Sequence, residues 1–154
     1  MTLFVRPIAE RDEPVWSELF AGYRATLDEA HDPRVVANAW GWLLHREHGL
    51  LGLVAVDEDD VPVALANLRW FARPDEGDIA LYLDSLYTRP EARGRGAARA
   101  LLREAAAIAA EDGSVSVRWI TAEDNTAARR LYDRHATLTR WVTYSMPAAP
   151  RPGA

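Results

Sequence analysis

The sequence predicts an α/β fold built on a mixed, mostly antiparallel sheet with about four helices. Two apolar runs separated by the acidic turn DEDD (residues 57–60) indicate a β-hairpin. Further on, a strand, an Ala- and Leu-rich helix and another strand follow one another, as in a right-handed parallel crossover. With 154 residues, the chain is expected to form one domain over residues 1–147, followed by a disordered tail at 148–154.

The first part of the chain predicts one strand and two helices. Residues 2–8 (TLFVRPI) are rich in β-forming side chains and predict a strand. Apolar residues recur at helical spacing from Arg11 onward, with Pro14 where a first helical turn tolerates proline. Asp32 is suited to cap a second helix, which the periodicity extends to about Arg46.

The second part predicts the remainder of the sheet. The hairpin strands lie within residues 50–71, and residues 79–88 (IALYLDSLYT) predict a third antiparallel strand. A helix with an apolar stripe then extends to about Glu111. Alternating apolar residues predict a strand over 114–122, a short helix follows it, and residues 137–146 (TLTRWVTYSM) predict a final strand.

Composition excludes several classes of function. The chain has no cysteine, which excludes disulfides, thiolate metal sites and cysteine nucleophiles. Its 4 histidines show no ligand spacing, so no metal is expected. A net charge of −5 argues against nucleic acid as a partner. Since no apolar run reaches membrane-spanning length and no signal peptide is visible, we expect a cytoplasmic protein without a membrane partner.

One turn carries the clearest chemical signal, the segment RGRGAA formed by Arg93, Gly94, Arg95, Gly96, Ala97 and Ala98. Glycine at a helix start costs roughly 1 kcal/mol relative to alanine, so the backbone there should require it. Unpaired N–H groups, absent Cβ atoms and adjacent arginines favour an anion, and we interpret the turn as a pyrophosphate cradle. A P-loop is excluded because the chain has no lysine, and a dinucleotide fingerprint because Arg99 replaces its third glycine.

The turn and its surroundings resemble the GNAT superfamily of N-acetyltransferases. RGRGAA fits the R/Q-x-x-G-x-G/A pattern of that family, and residues 81–102 (LYLDSLYTRPEARGRGAARALL) are similar to its central strand and pyrophosphate loop throughout. Residues 117–136 (VRWITAEDNTAARRLYDRHA) resemble the second family signature, in which an Asn is followed seven residues later by a Tyr, here Asn125 and Tyr132. The similarity is greatest to a microbial branch acetylating small amines, D-amino acids or basic protein tails.

The resemblance implies a central strand that carries a β-bulge and splays from the next strand. Acetyl-CoA is the implied cosubstrate, with its pantetheine along the backbone of Leu86, Tyr87 and Thr88. Its pyrophosphate would bind the N–H groups from Arg93 to Ala98. A backbone N–H near Leu86 or Tyr87 would hold the thioester oxygen as charge develops there.

Three further side chains are candidates for proton transfer and binding. Asp84 occupies a position where relatives often have a glutamate that acts as the base. Because aspartate is one methylene shorter, it would act through water. The alternative role for Asp84 is a carboxylate paired with an arginine. Tyr132 matches the family's tyrosine acid, which protonates the leaving thiolate, with core packing as the alternative. Asn125 is expected to bind CoA or backbone, and a helix N-cap is its alternative.

The sequence therefore predicts an acetyl-CoA-dependent N-acetyltransferase that acetylates a primary amine directly, through a ternary complex. The alternative is a non-catalytic acyl-CoA-binding module. Asp84 and the acidic turn DEGD (residues 75–78) favour a cationic acceptor such as a polyamine, an amino acid or a basic peptide. Trp42, Trp70 and Phe71 are candidates for the acceptor wall. Because the family often dimerises, a homodimer is expected.

Overall fold

Five strands form one sheet in the computed structural model, which describes residues 2–151. The strands are β1 (Phe4–Pro7), β2 (Leu50–Val56), β3 (Pro62–Arg73), β4 (Asp78–Thr88) and β5 (Val117–Arg118). They lie in the order β1-β2-β3-β4-β5, with the first four antiparallel to their neighbours and β5 parallel to β4. The mixed, mostly antiparallel sheet predicted from the sequence is therefore confirmed.

The helices of the described residues are α1 (Glu13–Ala25), α2 (Pro33–Leu44), α3 (Ala97–Glu111) and α4 (Thr126–Tyr132). Asp32 caps α2 as expected, because its carboxylate accepts the Arg34 N–H at 2.9 Å. The connection from β4 through α3 to β5 is the predicted parallel crossover. Residues up to Ile120 form one compact unit, and those from Thr121 onward form a second, which contains α4.

A hydrophobic core lies between the sheet and the first two helices. Trp16 is fully buried, stacks on Phe20 with ring centroids 4.8 Å apart, and lies 5.2 Å from the ring of Trp40. Its indole N–H donates to the Asn67 side chain at 3.3 Å, so the polar atom of this aromatic group is satisfied. The helix α3 packs on the same sheet through a buried stripe consisting of Ala97, Leu101, Leu102, Ala105 and Ala109.

The end of the chain departs from the sequence-based expectation. Only Val117–Arg118 of the strand expected over 114–122 pairs with the sheet. The prediction of a final strand at 137–146 is wrong: within residues 2–151 this segment pairs with no other strand. Alternating apolar residues predict extended backbone, but a strand also needs a neighbour to accept its hydrogen bonds. The tail expected at 148–154 lies outside the described residues from 152 on.

None of the helices in residues 2–151 is both long enough and apolar enough to cross a membrane.

A buried ion pair anchors the start of α1. The Asp12 side chain is 2% exposed, and its two carboxylate oxygens accept Arg6 Nη1 and Nη2 at 2.7 and 2.9 Å. The Ala9 N–H donates to the same carboxylate at 2.8 Å. Burial alone would raise the pKa of Asp12, but the hydrogen bonds from Arg6 and Ala9 outweigh burial and lower the pKa below the usual 3.8.

We expect Asp12→Asn to lower the free energy of unfolding by roughly 3 kcal/mol at neutral pH, because Arg6 loses its buried partner. Since the pKa of Asp12 is lower in the folded chain, this contribution is complete above about pH 4 and disappears as the pH falls further. Urea denaturation at pH 7 and at pH 3 measures both effects. Asp32→Asn is the control, because Asn caps a helix about as well as Asp. Equal losses in the two variants at pH 7 would contradict the assignment.

Candidate active site

A β-bulge at Asp84 interrupts the pairing of β3 with β4. Asn67 pairs with Ser85 and Leu68 pairs with Leu83, which leaves Asp84 without a partner on β3. Such a bulge bends its strand and re-aims the side chains on both sides of it. The bulge that the resemblance implied for the central strand is therefore present, and it coincides with a candidate residue.

The carboxylate of Asp84 is paired with Arg69 of β3. Nε of Arg69 donates to both carboxylate oxygens at 3.0 Å, and the Asp84 side chain is 33% exposed. Burial raises the pKa of Asp84, and the hydrogen bond and charge of Arg69 oppose this rise without cancelling it. Asp84 is thus the arginine-paired carboxylate that the sequence left as an alternative, yet it stays open to solvent and more basic than an ordinary aspartate.

The helix α1 holds the bulged part of β4 in place. Tyr23 donates its hydroxyl hydrogen to the carbonyl oxygen of Asp84 at 3.0 Å. One residue earlier, a Cβ on Gly22 would lie 2.7 Å from the hydroxyl oxygen of Tyr87. Glycine at this point allows the Tyr87 ring to approach the helix closely. The helix α1 therefore contacts β4 at two points, the carbonyl of Asp84 in the bulge and the ring of Tyr87 three residues later.

Beyond the bulge, one edge of β4 is open. The pairing of β4 with β5 consists of Leu81 with Val117 and Tyr82 with Arg118. On the other side, β4 stays paired with β3 up to its last residue, Thr88. Within residues 2–151 no strand therefore covers the second edge of β4 after Tyr82. This is the splayed strand pair, and its open edge contains Leu86, Tyr87 and Thr88.

The turn after β4 requires its glycines for backbone conformation. Gly94 has φ +75° and Gly96 has φ +90°, in the left-handed region that residues with a Cβ rarely adopt. A Cβ on Gly94 would meet no atom within 4 Å, and one on Gly96 would meet only Nη2 of Arg99, at 3.5 Å. The space in front of the turn is therefore open, which is what a cradle for a bulky anion needs.

The start of α3 presents N–H groups beside this open space. The first hydrogen bond of the helix joins the N–H of Ala100 to the carbonyl oxygen of Gly96 at 2.9 Å. N–H groups before that point have no acceptor within their helix, and this set includes those of Ala97, Ala98 and Arg99. Aligned peptide dipoles add partial positive charge at the same end of the helix. An anion placed here would meet the backbone N–H donors of the first turn of α3.

Exposed arginines surround the same turn. Nε of Arg93 donates to the carbonyl oxygen of Thr88 at 3.1 Å, and its guanidinium lies 5.7 Å from the ring centroid of Tyr87. Arg93 therefore ties the turn back onto the end of β4. Arg95 and Arg99 are exposed on either side of Gly96, which concentrates positive charge at the helix start.

The second unit contains the other two candidates. Asn125 immediately precedes α4, but its side chain makes no capping hydrogen bond and instead donates to the hydroxyl of Thr121 at 3.1 Å. Tyr132 is the last residue of α4 and is half-buried. Its carbonyl oxygen accepts the N–H groups of His135 and Ala136 at 2.9 and 2.8 Å.

The aromatic residues proposed for an acceptor wall lie in different surroundings. Phe71 packs edge-on against Tyr82, with ring centroids 5.9 Å apart. Trp70 lines a cavity of about 580 Å³ together with the end of α3. Adjacent residues of a strand point to opposite faces, so Trp70 and Phe71 line different surfaces. Trp42 packs edge-on against His48, with centroids 5.3 Å apart.

The acidic turn before β4 does not reinforce the charge of Asp84. Asp75 and Glu76 pair with Arg73, and Asp78 begins β4, roughly 20 Å along the strand from Asp84. The acidic turn at residues 75–78 therefore lies too far from Asp84 to add negative charge beside it. In residues 2–151 there is also no group of three His, Asp or Glu side chains that could hold a metal ion.

Sequence reasoning overlooked Arg69 and Tyr23, which hold Asp84 from a neighbouring strand and a helix. The apolar run of β3 was visible in the sequence, but only the pairing register identifies the β3 residue whose side chain lies beside Asp84. For Tyr23, no local signal distinguishes a tyrosine that binds a bulge from one that fills the core.

Comparisons of the sequence with known proteins agree on one family. The model of the acetyltransferase (GNAT) family matches residues 13–136. The D-amino-acid N-acetyltransferase of Saccharomyces cerevisiae is 26% identical over 143 residues, covering 92% of this chain and 89% of that protein. The thialysine N-epsilon-acetyltransferase of Caenorhabditis elegans is 30% identical over 107 residues, covering 66% of this chain and 64% of that protein.

Solved structures share the fold. The aminoglycoside N-acetyltransferase AAC(6')-Iy, in complex with a bisubstrate analogue of CoA, superposes with a TM-score of 0.83 at 15% identity, covering 97% of this chain and 100% of that chain. A ribosomal-protein-alanine N-acetyltransferase from Brucella melitensis biovar Abortus gives 0.79 at 22% identity, covering 96% and 100%. At these identities the likeness establishes the architecture alone.

Proposed function

The chain belongs to the GNAT family of acetyltransferases, and we propose that it transfers the acetyl group of acetyl-CoA directly to a primary amine within a ternary complex. The observation that carries this proposal is the combination of an open strand edge with a glycine turn. Within residues 2–151 no strand covers the second edge of β4 after Tyr82, and Gly94 and Gly96 then lead into the N–H groups at the start of α3. An extended pantetheine arm joined to a pyrophosphate, as in CoA, fits this succession of backbone donors and acceptors.

The residues of the turn are suited to the anionic part of the cosubstrate. In our proposal the pyrophosphate accepts N–H groups between Arg93 and Ala98, and Arg95 adds positive charge. The pantetheine would pair with the backbone of Leu86, Tyr87 and Thr88 as an added strand. Asn125 is proposed as a further CoA-binding residue.

The acetyl thioester supplies an activated carbonyl carbon, and the chain supplies orientation and proton transfer. A neutral amine gives its electron pair to that carbon, so a C–N bond forms and the C–S bond breaks. A backbone N–H near Leu86 or Tyr87 would stabilise the negative charge on the carbonyl oxygen. No covalent bond to the protein is needed, in agreement with a chain that has no cysteine.

Asp84 is the proposed base, acting through water. An alkylamine has a pKa of roughly 10.4 and must lose a proton before it attacks. The raised pKa and partial exposure of Asp84 support this role, while its pairing with Arg69 argues for a relay through water. Tyr132 is the proposed acid, which gives its proton to the departing thiolate of CoA.

The test is an assay of free CoA with a panel of primary amines and acetyl-CoA as donor. We expect release of CoA that depends on both substrates, with the acetylated amine found by mass spectrometry. Initial rates should give intersecting lines, as a ternary complex requires, instead of the parallel lines of a covalent intermediate. Calorimetry that finds acetyl-CoA bound, with no amine acetylated, would favour the non-catalytic binding module.

We also propose that two copies associate through residues 138–146. Large apolar side chains of this segment are exposed, with Trp141 at 71% and Tyr144 at 91%. Such a segment is suited to add a strand to the sheet edge of a second copy, where exposed Val115 and Ile120 flank β5. Light scattering should give the mass of a dimer, and Trp141→Asp should give a folded monomer. A monomeric wild-type protein would contradict the proposal.

A further inference from the structure

Two arginines flank a tyrosine in one row across three strands. Arg69 of β3 pairs with Tyr82 of β4, and Tyr82 pairs with Arg118 of β5. Residues directly opposite each other on neighbouring strands share a face of the sheet. The guanidinium carbon of Arg69 lies 4.5 Å from the ring centroid of Tyr82, and that of Arg118 lies 6.0 Å from the centroid of Phe71. Arg69 is therefore held on an aromatic ring beside the bulge, and Arg118 on Phe71, which pairs with Ala80, four residues before Asp84.

The arginine next to the bulge keeps part of its hydrogen-bonding capacity. Arg69 uses Nε for Asp84, and in residues 2–151 neither Nη1 nor Nη2 donates to a protein acceptor. Its side chain is 42% exposed, so these two groups can reach a ligand. Stacking on Tyr82 fixes the plane of the guanidinium, so less freedom is lost when a ligand binds.

The balance of charge in this row favours an anion. Two guanidiniums, Arg69 and Arg118, belong to residues that pair with Tyr82, and the carboxylate of Asp84 is already bonded to Arg69. Arg118 is exposed and has no carboxylate within salt-bridge distance in the described residues. A purely cationic acceptor such as a polyamine would meet a net positive surface here. A ligand with both charges would place its anion on the arginines and its amine near Asp84.

We propose that Arg69 and Arg118 form a carboxylate subsite, so that the acceptor is a zwitterionic α-amino acid. The inference rests on the proposed acetyl transfer and names its substrate class. In an α-amino acid the amine and the carboxylate share one carbon, and Asp84 and Arg69 are likewise direct neighbours. The fork of Arg69 donates to the carboxylate, which holds the amine on the side of Asp84. Arg69 is therefore a specificity-determining residue for the acceptor.

The test compares acceptors that differ only in the carboxylate. Phenylalanine is measured against phenylalaninamide and phenethylamine, and alanine against alaninamide and ethylamine, with both enantiomers wherever the acceptor is chiral. We expect kcat/KM for the better acid to exceed that for its amide by about 10- to 100-fold, as a charge-assisted pair of hydrogen bonds would give. An amide has the less basic amine, so amine protonation works against this preference.

Variants then test whether Arg69 and Arg118 cause the preference for the acid over the amide. Arg69→Gln should reduce the acid-to-amide ratio of kcat/KM to about one, and Arg69→Lys should restore part of it. The ratio is the readout because loss of Arg69 also changes the charge environment of Asp84, which affects both acceptors alike. Arg118 lies on another strand, and Arg118→Gln should lower the same ratio. The test then does not depend on correct folding of the Arg69 variants alone. Arg73→Gln removes an arginine from the same strand and should leave the ratio unchanged.

The results distinguish failure of the carboxylate subsite from failure of the proposed acetyl transfer. If amides and simple amines are acetylated as well as the acids, or if the ratio survives Arg69→Gln, the carboxylate subsite is wrong and acetyl transfer stands. If no amine at all is acetylated, acetyl transfer itself fails and the subsite with it. A preference for the acid that is lost in Arg69→Gln and kept in Arg73→Gln supports the inference.

Discussion

Gly96→Asp is expected to abolish binding of acetyl-CoA while the chain stays folded. Gly96 has φ +90° and immediately precedes α3, where a pyrophosphate would approach the backbone. An aspartate there adds a side chain in front of the N–H groups and a negative charge that repels the phosphates. Apart from the adjacent chain, the atom of residues 2–151 within 4 Å of the added Cβ is Nη2 of the flexible Arg99 side chain, at 3.5 Å. The main structural penalty is therefore the left-handed backbone, roughly 1–2 kcal/mol for a residue with a Cβ.

Calorimetric titration with acetyl-CoA measures this loss, and circular dichroism checks the fold. Gly77→Asp is the matched control, because Gly77 has φ +64°, lies in the turn before β4 and has nothing within 4 Å of an added Cβ. It introduces the same charge and the same strain in another turn, so its affinity for acetyl-CoA should be that of the wild type. Unchanged affinity in a folded Gly96→Asp variant would remove the pyrophosphate from this turn.

The features that the sequence predicted well are those governed by neighbours along the chain. Gly94 and Gly96 were singled out because glycine is unfavourable at a helix start, and both adopt the left-handed conformation that justifies them. Asp32 was recognised as a cap from one position and the residues after it. The strands of the hairpin followed from two apolar runs and the acidic turn between them. Each of these inferences depended on residues that lie close together along the chain.

The features that could not be predicted depend on pairing between distant segments. A single extra residue in β4 creates the bulge at Asp84, and alternation alone does not locate such a shift. The partners of Asp84 follow from that shift, because Arg69 lies on β3 and Tyr23 on α1. For the same reason residues 137–146 were expected to form a strand, although the segment itself contains no information about a partner.

The bulge links the two halves of the proposed chemistry. On one side of it, Asp84 and Arg69 are held where an acceptor would approach; on the other, the edge of β4 is open for the donor. Tyr23 binds the carbonyl of Asp84 and so stabilises the bend that separates the two sides. In the proposed chemistry, the charge at the acceptor side would therefore depend on long-range strand register, and donor binding would depend on the local turn.

Tyr132→Phe is expected to lower kcat by about one to three orders of magnitude and to leave the affinity for acetyl-CoA nearly unchanged. The variant keeps the ring of a half-buried side chain and removes only the hydroxyl group, so the fold of α4 should persist. By analogy with cysteine, the departing thiol has a pKa of roughly 8.5, so its thiolate is a fair leaving group without help. For that reason the loss should fall at the lower end of what general acid catalysis contributes.

Steady-state kinetics with saturating acceptor gives kcat, and calorimetry gives the affinity for acetyl-CoA, so chemistry and binding are measured separately. Tyr144→Phe is the control, because Tyr144 lies in the same unit and is 91% exposed. It loses the same hydroxyl group and should keep the kcat of the wild type. A Tyr132→Phe variant with normal kcat would assign Tyr132 to packing, whereas lower kcat with intact affinity is the result that a proton donor to the thiolate requires.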